Sequence, residues 1–270
     1  MDDELRNQVK EWLQEGVVDL FLAYRKVDGH PLPCVFTKQT IEEVEDLVTG
    51  PARYPLEKLA WKIVTLHPDV SVGILARECD QRALNILSAW NQVKPGQVKT
   101  IHLSCCPSNL KEHSDCSYLE PNVTGPCKAV LGFEFAGKAE DVEALEPRER
   151  FQKWMYEFEK CIKCYGCRNI CPVCFCKECS LENPDLIRTG PLPPEVPLFH
   201  LVRAVHMAGR CIDCGLCEAA CPAEIPLRLL YRKVNEIVKE VFGYETGTSP
   251  GPSPFQELGE HMVTIDEWEA

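Results

Sequence analysis

Apolar positions in the first part of the chain alternate between two periods. Residues 3–15 place Leu5, Val9, Trp12 and Leu13 at helical spacing, and Gly16 follows as a C-terminal cap. VVDLFLAY (Val17–Tyr24) is apolar enough for a buried strand, and Asp28–Gly29 marks a turn into a second, short strand. Helical patterning returns at TIEEVEDLV, where Thr40 and Glu43 form a capping-box pair. PLEKLAWKIVTL (Pro55–Leu66) is a helix opened by proline. VSVGILA (Val70–Ala76) is a buried strand, CDQRALNILSAW (Cys79–Trp90) a helix and VKTIHLS (Val98–Ser104) a further strand. Strands alternating with helices predict βαβ units and a mixed sheet. Cys79 stands at a strand-to-helix junction, a place where ligands gather, although a buried small side chain is the simpler reading.

The later pattern differs. PRERFQKWMYEFEK (Pro147–Lys160), LFHLVRAVHMAGR and PLRLLYRKVNEIVKEVF (Pro226–Phe242) predict helices, with the proline-rich loop NPDLIRTGPLPPEVP before the second. From Gly243 the chain is rich in Gly, Pro and Ser, with acidic residues and no Lys or Arg. An extended tail is expected there, with Leu258, Val263, Ile265 and Trp268 available to lie along a partner. The fold class expected is α+β. Residues 1–147 form a small α/β domain with a mixed sheet. Residues 148–242 form a second domain with flanking helices, and 243–270 an acidic tail.

Composition changes this picture at one residue type. The 270 residues include 17 cysteines. Eleven lie between Cys161 and Cys221; the others are Cys34, Cys79, Cys105, Cys106, Cys116 and Cys127. The N-terminus lacks a basic stretch followed by an apolar one, and no run approaches the ~18 apolar residues of a membrane span. A cytoplasmic location is expected, and with it metal or redox chemistry for the thiols rather than disulfides. The net charge of −12 argues against nucleic-acid binding. It serves solubility, or a docking face for a basic partner. Neither GxGxxG nor GxxxxGK[ST] occurs.

Cys161, Cys164, Cys167 and Cys171, with Pro172, fit C-x2-C-x2-C-x3-C-P, and Cys211, Cys214, Cys217 and Cys221, with Pro222, repeat it. This is the signature of a bacterial-type ferredoxin domain holding two [4Fe–4S] clusters. Three thiolates, each separated by two residues, share one tight loop, while the fourth is too far round and serves the other cluster. Cluster I is therefore expected on Cys161, Cys164, Cys167 and Cys221, and cluster II on Cys211, Cys214, Cys217 and Cys171. Zinc sites use paired CxxC knuckles or Cys/His mixtures and do not need this arrangement. Gly166 and Gly215 are expected to let backbone approach the clusters. Within segment 172–180, Cys174, Cys176 and Cys179 are surplus to the repeat. A third centre, [4Fe–4S] or zinc, is expected on them, completed by one of Cys105, Cys106, Cys116 or Cys127; free or redox-active thiols are the other reading. His102, His113, His200 and His206 show no metal spacing, and His200 and His206 precede Cys211 where they tune a cluster or pack. No catalytic constellation stands out.

EGVVDLFLAYRKVDGHPLPCVFT, GPARYPLEKLAWKI, VSVGILARECDQRAL and CIKCYGCRNICPVCFCKEC resemble the iron–sulfur beta subunit of formate dehydrogenases and deazaflavin-reducing hydrogenases. AGRCIDCGLCEAACPAEIPL also resembles the iron–sulfur subunit of heterodisulfide reductases. The resemblance implies an electron-transfer subunit of an oxidoreductase complex. Electrons would pass between a dehydrogenase- or hydrogenase-type partner and a heterodisulfide-reductase-like or other redox complex. Some members hold a flavin such as FAD and reduce the deazaflavin coenzyme, which is the alternative function. Here DCSYLEPNVTGPC replaces the compact cysteine-pair loop expected before their flavin region, and the α/β domain is short. Both features count against flavin. A zinc-binding interaction module is the remaining alternative.

Overall fold

The structure, a computed structural model, describes residues 2–49, 54–103, 142, 144–185, 198–248 and 251–256. Helix α1 (Asp2–Gln14) buries Leu5, Val9 and Leu13, one residue per turn, against the sheet. Strands β1 (Leu20–Val27) and β2 (His30–Thr37) form an antiparallel hairpin in register from Val27↔His30 to Leu20↔Thr37. Its turn places Asp28 at φ 50° and Gly29 at φ 84°, the left-handed pair that a two-residue hairpin requires. Pro31 and Pro33 lie in β2, which is an edge strand, where a missing N–H costs no ladder bond.

TIEEVEDLV departs from expectation. Lys38–Asp46 is a 3-10 helix and Leu47–Val48 is a short strand, β3, paired with β1 at Arg25 and Tyr24. Ile41, Val44 and Leu47 recur every three residues, which suits the tighter helix. The cap also shifts: the Thr37 N–H donates to Thr40 Oγ1 at 3.0 Å, so Thr40 closes the turn rather than opening it. Glu43 pairs with Arg25 instead of capping.

Helix α2 (Leu56–Leu66) leads to β4 (Val72–Ala76), helix α3 (Glu78–Ala89) and β5 (Val98–His102). Among the described residues the sheet order is β2-β1-β4-β5, with β3 also beside β1; β1–β4 and β4–β5 are parallel. The sheet is mixed and the protein combines α and β structure. All five residues of β4 are buried, the near-continuous apolar run of a strand covered on both faces. Gly73 is opposite Phe21, and a Cβ there would meet the Phe21 ring at 2.3 Å, so only glycine allows this approach.

The remaining elements are α4 (Pro147–Glu159), α5 (Gly166–Asn169), α6 (Leu198–His206), α7 (Leu216–Ala219) and α8 (Leu227–Phe242). They surround a second core containing Phe158, Phe199, Met207, Ile212, Leu227 and Tyr231. Helix α3 belongs to both cores. Leu84 and Leu87 face the sheet, whereas Cys79, Ala83 and Ile86, one turn apart, face the second core. Cys79 is 4% exposed, a packed thiol within that core. The described part of the tail is not extended. The Asn85 amide donates to Gly247 O at 2.9 Å, Gln256 donates to Ala89 O, and Phe255 packs edge-on against Phe242. Thr246 and Ser253 are buried, so residues 244–248 and 251–256 fold back over α3 and α8. Leu258, Val263, Ile265 and Trp268 lie outside the described residues.

Candidate metal centre

The two cysteine runs adopt the same local path. Lys163 and Asp213, each just before the second cysteine of its run, have φ near 50°. Tyr165 (φ 57°) and Gly215 (φ 76°) each cap the short helix that follows, α5 or α7. The glycines are therefore not equivalent. Gly215 supplies the left-handed position, which Tyr165 fills in the first run. Gly166 instead permits a close crossing: a Cβ there would lie 3.1 Å from Ala220 O. Tyr165 is held by its hydroxyl, which donates to Leu181 O at 3.0 Å, and by edge-on packing with Phe199.

These loops line two cavities. The first, about 320 Å³ including its mouth, is bounded by Cys161, Cys164, Cys167 and Cys221, with Tyr165, Phe199 and His200 behind them. The second, about 360 Å³ including its mouth, is bounded by Cys171, Cys211, Cys214 and Cys217, with Arg203, Met207 and Tyr231. In each cavity the fourth cysteine comes from the other run.

The thiols interact within the same groups. Cys167 feels Cys161, Cys221 and Cys164, whereas Cys217 feels Cys214, Cys211 and Cys171. Burial pushes the Cys167 thiol up to about 11 and raises Cys161, Cys171, Cys211 and Cys217 as well. Metal-free, these groups are held as thiols, and a metal must displace their protons. The quartets differ in depth. Cys164 is exposed and Ile162 beside it is 53% exposed, whereas residues 212–216 of the second run are buried.

Polar side chains that the cysteine pattern does not announce hold the loops. Asp213 accepts from Arg228 at 2.6 and 3.1 Å and from Arg232 at 3.1 Å, tying the second run to α8. Lys58, on α2, donates to the carbonyls of Arg168 (3.3 Å), Asn169 (2.8 Å) and Cys171 (2.8 Å). It gathers the C-terminal carbonyls of α5, an arrangement suited to a cation. Arg203 donates to Cys167 O at 2.9 Å and lies 3.8 Å from Cys174 Sγ. His200 is 2% exposed and stacks on Phe158 at 5.0 Å. Burial, then Arg203, lowers its pKa to about 4. Neither ring nitrogen has a hydrogen-bond partner among the described residues.

The surplus cysteines go to separate neighbours. Cys174 Sγ faces Arg203, Cys176 is exposed with its Sγ 3.9 Å from Arg210, and Cys179 interacts with Arg168. Among the described residues no three His, Cys, Asp or Glu side chains converge on a point that a single ion could occupy. Cys105, Cys106, Cys116, Cys127 and His113 lie outside the described residues. Between Cys174 and Cys176, Phe175 enters the sheet core beside Trp90 (5.8 Å) and Trp61 (6.5 Å). His102 pairs with Glu78 at 3.3 Å and takes no part in either cavity. Among the described residues no helix is long and apolar enough to cross a membrane.

No family model matches the chain. Over 121 residues it is 37% identical to the F420-dependent formate dehydrogenase subunit beta of Methanocaldococcus jannaschii, covering 45% of this chain and 32% of that protein. Over 103 residues it is 45% identical to the F420-dependent formate dehydrogenase 1 subunit beta of Methanococcus maripaludis, covering 38% and 26%. A 74-residue stretch is 36% identical to a ferredoxin:CoB-CoM heterodisulfide reductase subunit of Methanosarcina mazei, covering 24% and 8%. The chain thus spans about a third or less of the length of the curated relatives it matches. Its relatives are those to which the cysteine runs and strand–helix segments pointed: this chain is similar in part to formate dehydrogenase beta subunits and, over a shorter stretch, to a heterodisulfide reductase subunit.

Proposed function

We propose that the protein is an iron–sulfur electron-transfer subunit of a multisubunit oxidoreductase, with one [4Fe–4S] cluster in each cavity. The observation that carries this reading is the pair of four-cysteine cavities, each completed by a cysteine from the opposite run. Soft thiolates suit such clusters. A tetrahedral zinc, with Zn–S near 2.3 Å, would draw four sulfurs to about 3.8 Å of one another. The buried, unpartnered His200 ring beside the first cavity, which as a neutral imidazole carries one N–H, and Arg203 Nε beside the second offer donors suited to cluster sulfur. When bound, the clusters supply one-electron redox chemistry. The chain supplies ligands, a dry surround from Phe199, Met207 and Tyr231, and buried donors that influence potential.

Donor and acceptor are proposed as a formate dehydrogenase- or hydrogenase-type enzyme and a heterodisulfide-reductase-like complex. The names of the relatives support this pairing. Anaerobically purified protein is expected to contain about eight irons and eight sulfides. Cys221→Ser should remove the first reducible centre and Cys171→Ser the second, read as separate electron paramagnetic resonance signals. Stoichiometric zinc without iron and sulfide would sink the reading. A third centre on Cys174, Cys176 and Cys179 predicts iron near twelve, or one zinc besides eight irons. A second reading, a flavin-containing subunit that reduces a deazaflavin, draws on the F420-dependent relatives. A flavin spectrum on the same preparation separates the two.

A further inference from the structure

Arg203 has an unusual environment for a guanidinium. It is 3% exposed, on a short helix whose other polar residues are His200 and His206. Its neighbours Arg228 and Arg232 share the carboxylate of Asp213, but Arg203 makes no ion pair among the described residues. It donates to Cys167 O at 2.9 Å and points at Cys174 Sγ at 3.8 Å; its Nε has no partner among the described residues. Its guanidinium lies 5.8 Å from the centre of the Tyr231 ring. A buried charge without a counter-charge is strongly unfavourable, so a chain that retains one normally pairs it with an anion. The groups around it that can carry negative charge are the Tyr231 hydroxyl, Cys171, Cys167 and the surplus Cys174; of these Cys167 bounds the first cavity and Cys171 the second, and both become anionic when they bind a metal. Arg203 itself lines the second cavity.

We propose that Arg203 is the shared counter-cation of both quartets, placed so that its one buried charge offsets the negative charge of either centre and rises in value when that centre gains an electron. This rests on the reading of the cavities as cluster sites. The charge balance is simple. Each one-electron reduction adds one negative charge beside a cation that neither moves nor loses a proton. Arg203 is a positioning residue, since its hydrogen bonds go to the cysteine-bearing loops. Burial keeps the interaction strong by excluding water. The same residue explains why α6 places a cation, rather than another leucine, against the seam between the two runs.

The test is a dithionite titration of the full-length protein, followed by electron paramagnetic resonance, for wild type, Arg203→Met and Arg203→Lys. Iron and sulfide are counted in each sample. Removing the charge should disfavour the reduced form of both centres by about tenfold or more, a fall of about 59 mV for one electron. The centre on Cys171, Cys211, Cys214 and Cys217 should fall further. Arg203→Lys, which keeps the charge, should lose less than half of that shift. Should Arg203→Met fail to load iron, Arg203→Gln is compared with Arg203→Lys, and the neutral variant should titrate lower. Fully loaded variants with unchanged midpoints overturn the proposal alone. Wild-type protein without iron overturns the cluster reading itself, and this proposal with it.

Discussion

Phe175 is the residue at which the two halves of the molecule meet most directly. It stands between two thiols, yet its ring is 8% exposed and belongs to the sheet core. Arg210 lies 3.7 Å from the Trp90 ring centre and 4.8 Å from that of Phe175, so its guanidinium meets both rings. Read as sequence, CFCKEC is dominated by its cysteines, and nothing local distinguishes an anchoring Phe from a spacer. The expected consequence of Phe175→Ala is a loss of about 3–5 kcal/mol of unfolding free energy, because a large side chain leaves a cavity at a junction that cannot fully close. Denaturant unfolding of the cysteine-reduced protein measures it. A loss below about 1 kcal/mol would show that the segment is not a structural wedge.

At the scale of elements, Asp19 and Ser71 start the parallel pairing of β1 with β4. Asp19 Oδ2 accepts from the Ser71 N–H at 2.7 Å and from its hydroxyl at 2.8 Å, while the Asp19 N–H donates to Ser71 O at 3.0 Å. The Ser71 N–H, then its hydroxyl, hold the Asp19 carboxyl below its ordinary value of 3.8. A carboxylate lowered in the folded state adds stability above its unfolded pKa, and that stability is lost as pH falls through the folded value. Asp19→Asn should therefore lower Tm at pH 7, with the difference shrinking as pH falls below the ordinary carboxylate range and wild-type Asp19 becomes protonated. Asp19 is largely solvent-exposed, so the neutral-pH cost should be at most about 1.5 kcal/mol. A cost that persists unchanged at pH 2 would remove the carboxylate's charge from the explanation. The elements themselves were legible where period and turn chemistry agreed, as in the β1–β2 hairpin with Asp28–Gly29. They were not legible at TIEEVEDLV, where a repeat of three and a repeat of 3.6 give nearly the same apolar positions over so few residues.

Across the whole molecule, α3, Lys58 and the folded-back residues 244–248 and 251–256 connect the sheet to the cysteine-bearing half. Depth then separates the cysteines into classes. Cys164 and Cys176 are exposed, whereas Cys167, Cys171 and Cys214 are buried. Brief alkylation of folded, metal-free protein should label Cys164 and Cys176 first and the buried three only on unfolding, as read by peptide mass spectrometry. Cluster loading should then protect Cys164 while Cys176 stays reactive. Protection of both would point to a centre that includes the surplus thiols. Comparable labelling of Cys164 and Cys214 before loading would contradict the depth difference between the runs.

Spacing alone carried the expectation of two cysteine quartets, each borrowing its fourth member. Three thiols with two residues between each pair occupy one loop, and chain geometry limits where a fourth can reach. The alternation of strands and helices and the hairpin turn were likewise properties of near neighbours in the chain. The residues around the quartets were decided by contacts distant in sequence. Lys58 meets Cys171 O across 113 positions, and Arg203 reaches Cys167 O only because α6 packs against the seam between the runs. Such contacts depend on how finished elements pack, and periodicity carries no information about which turn of one helix meets which loop of another. The sequence therefore determined the candidate ligands and the element pattern. Only the tertiary structure decided which buried charges would surround them.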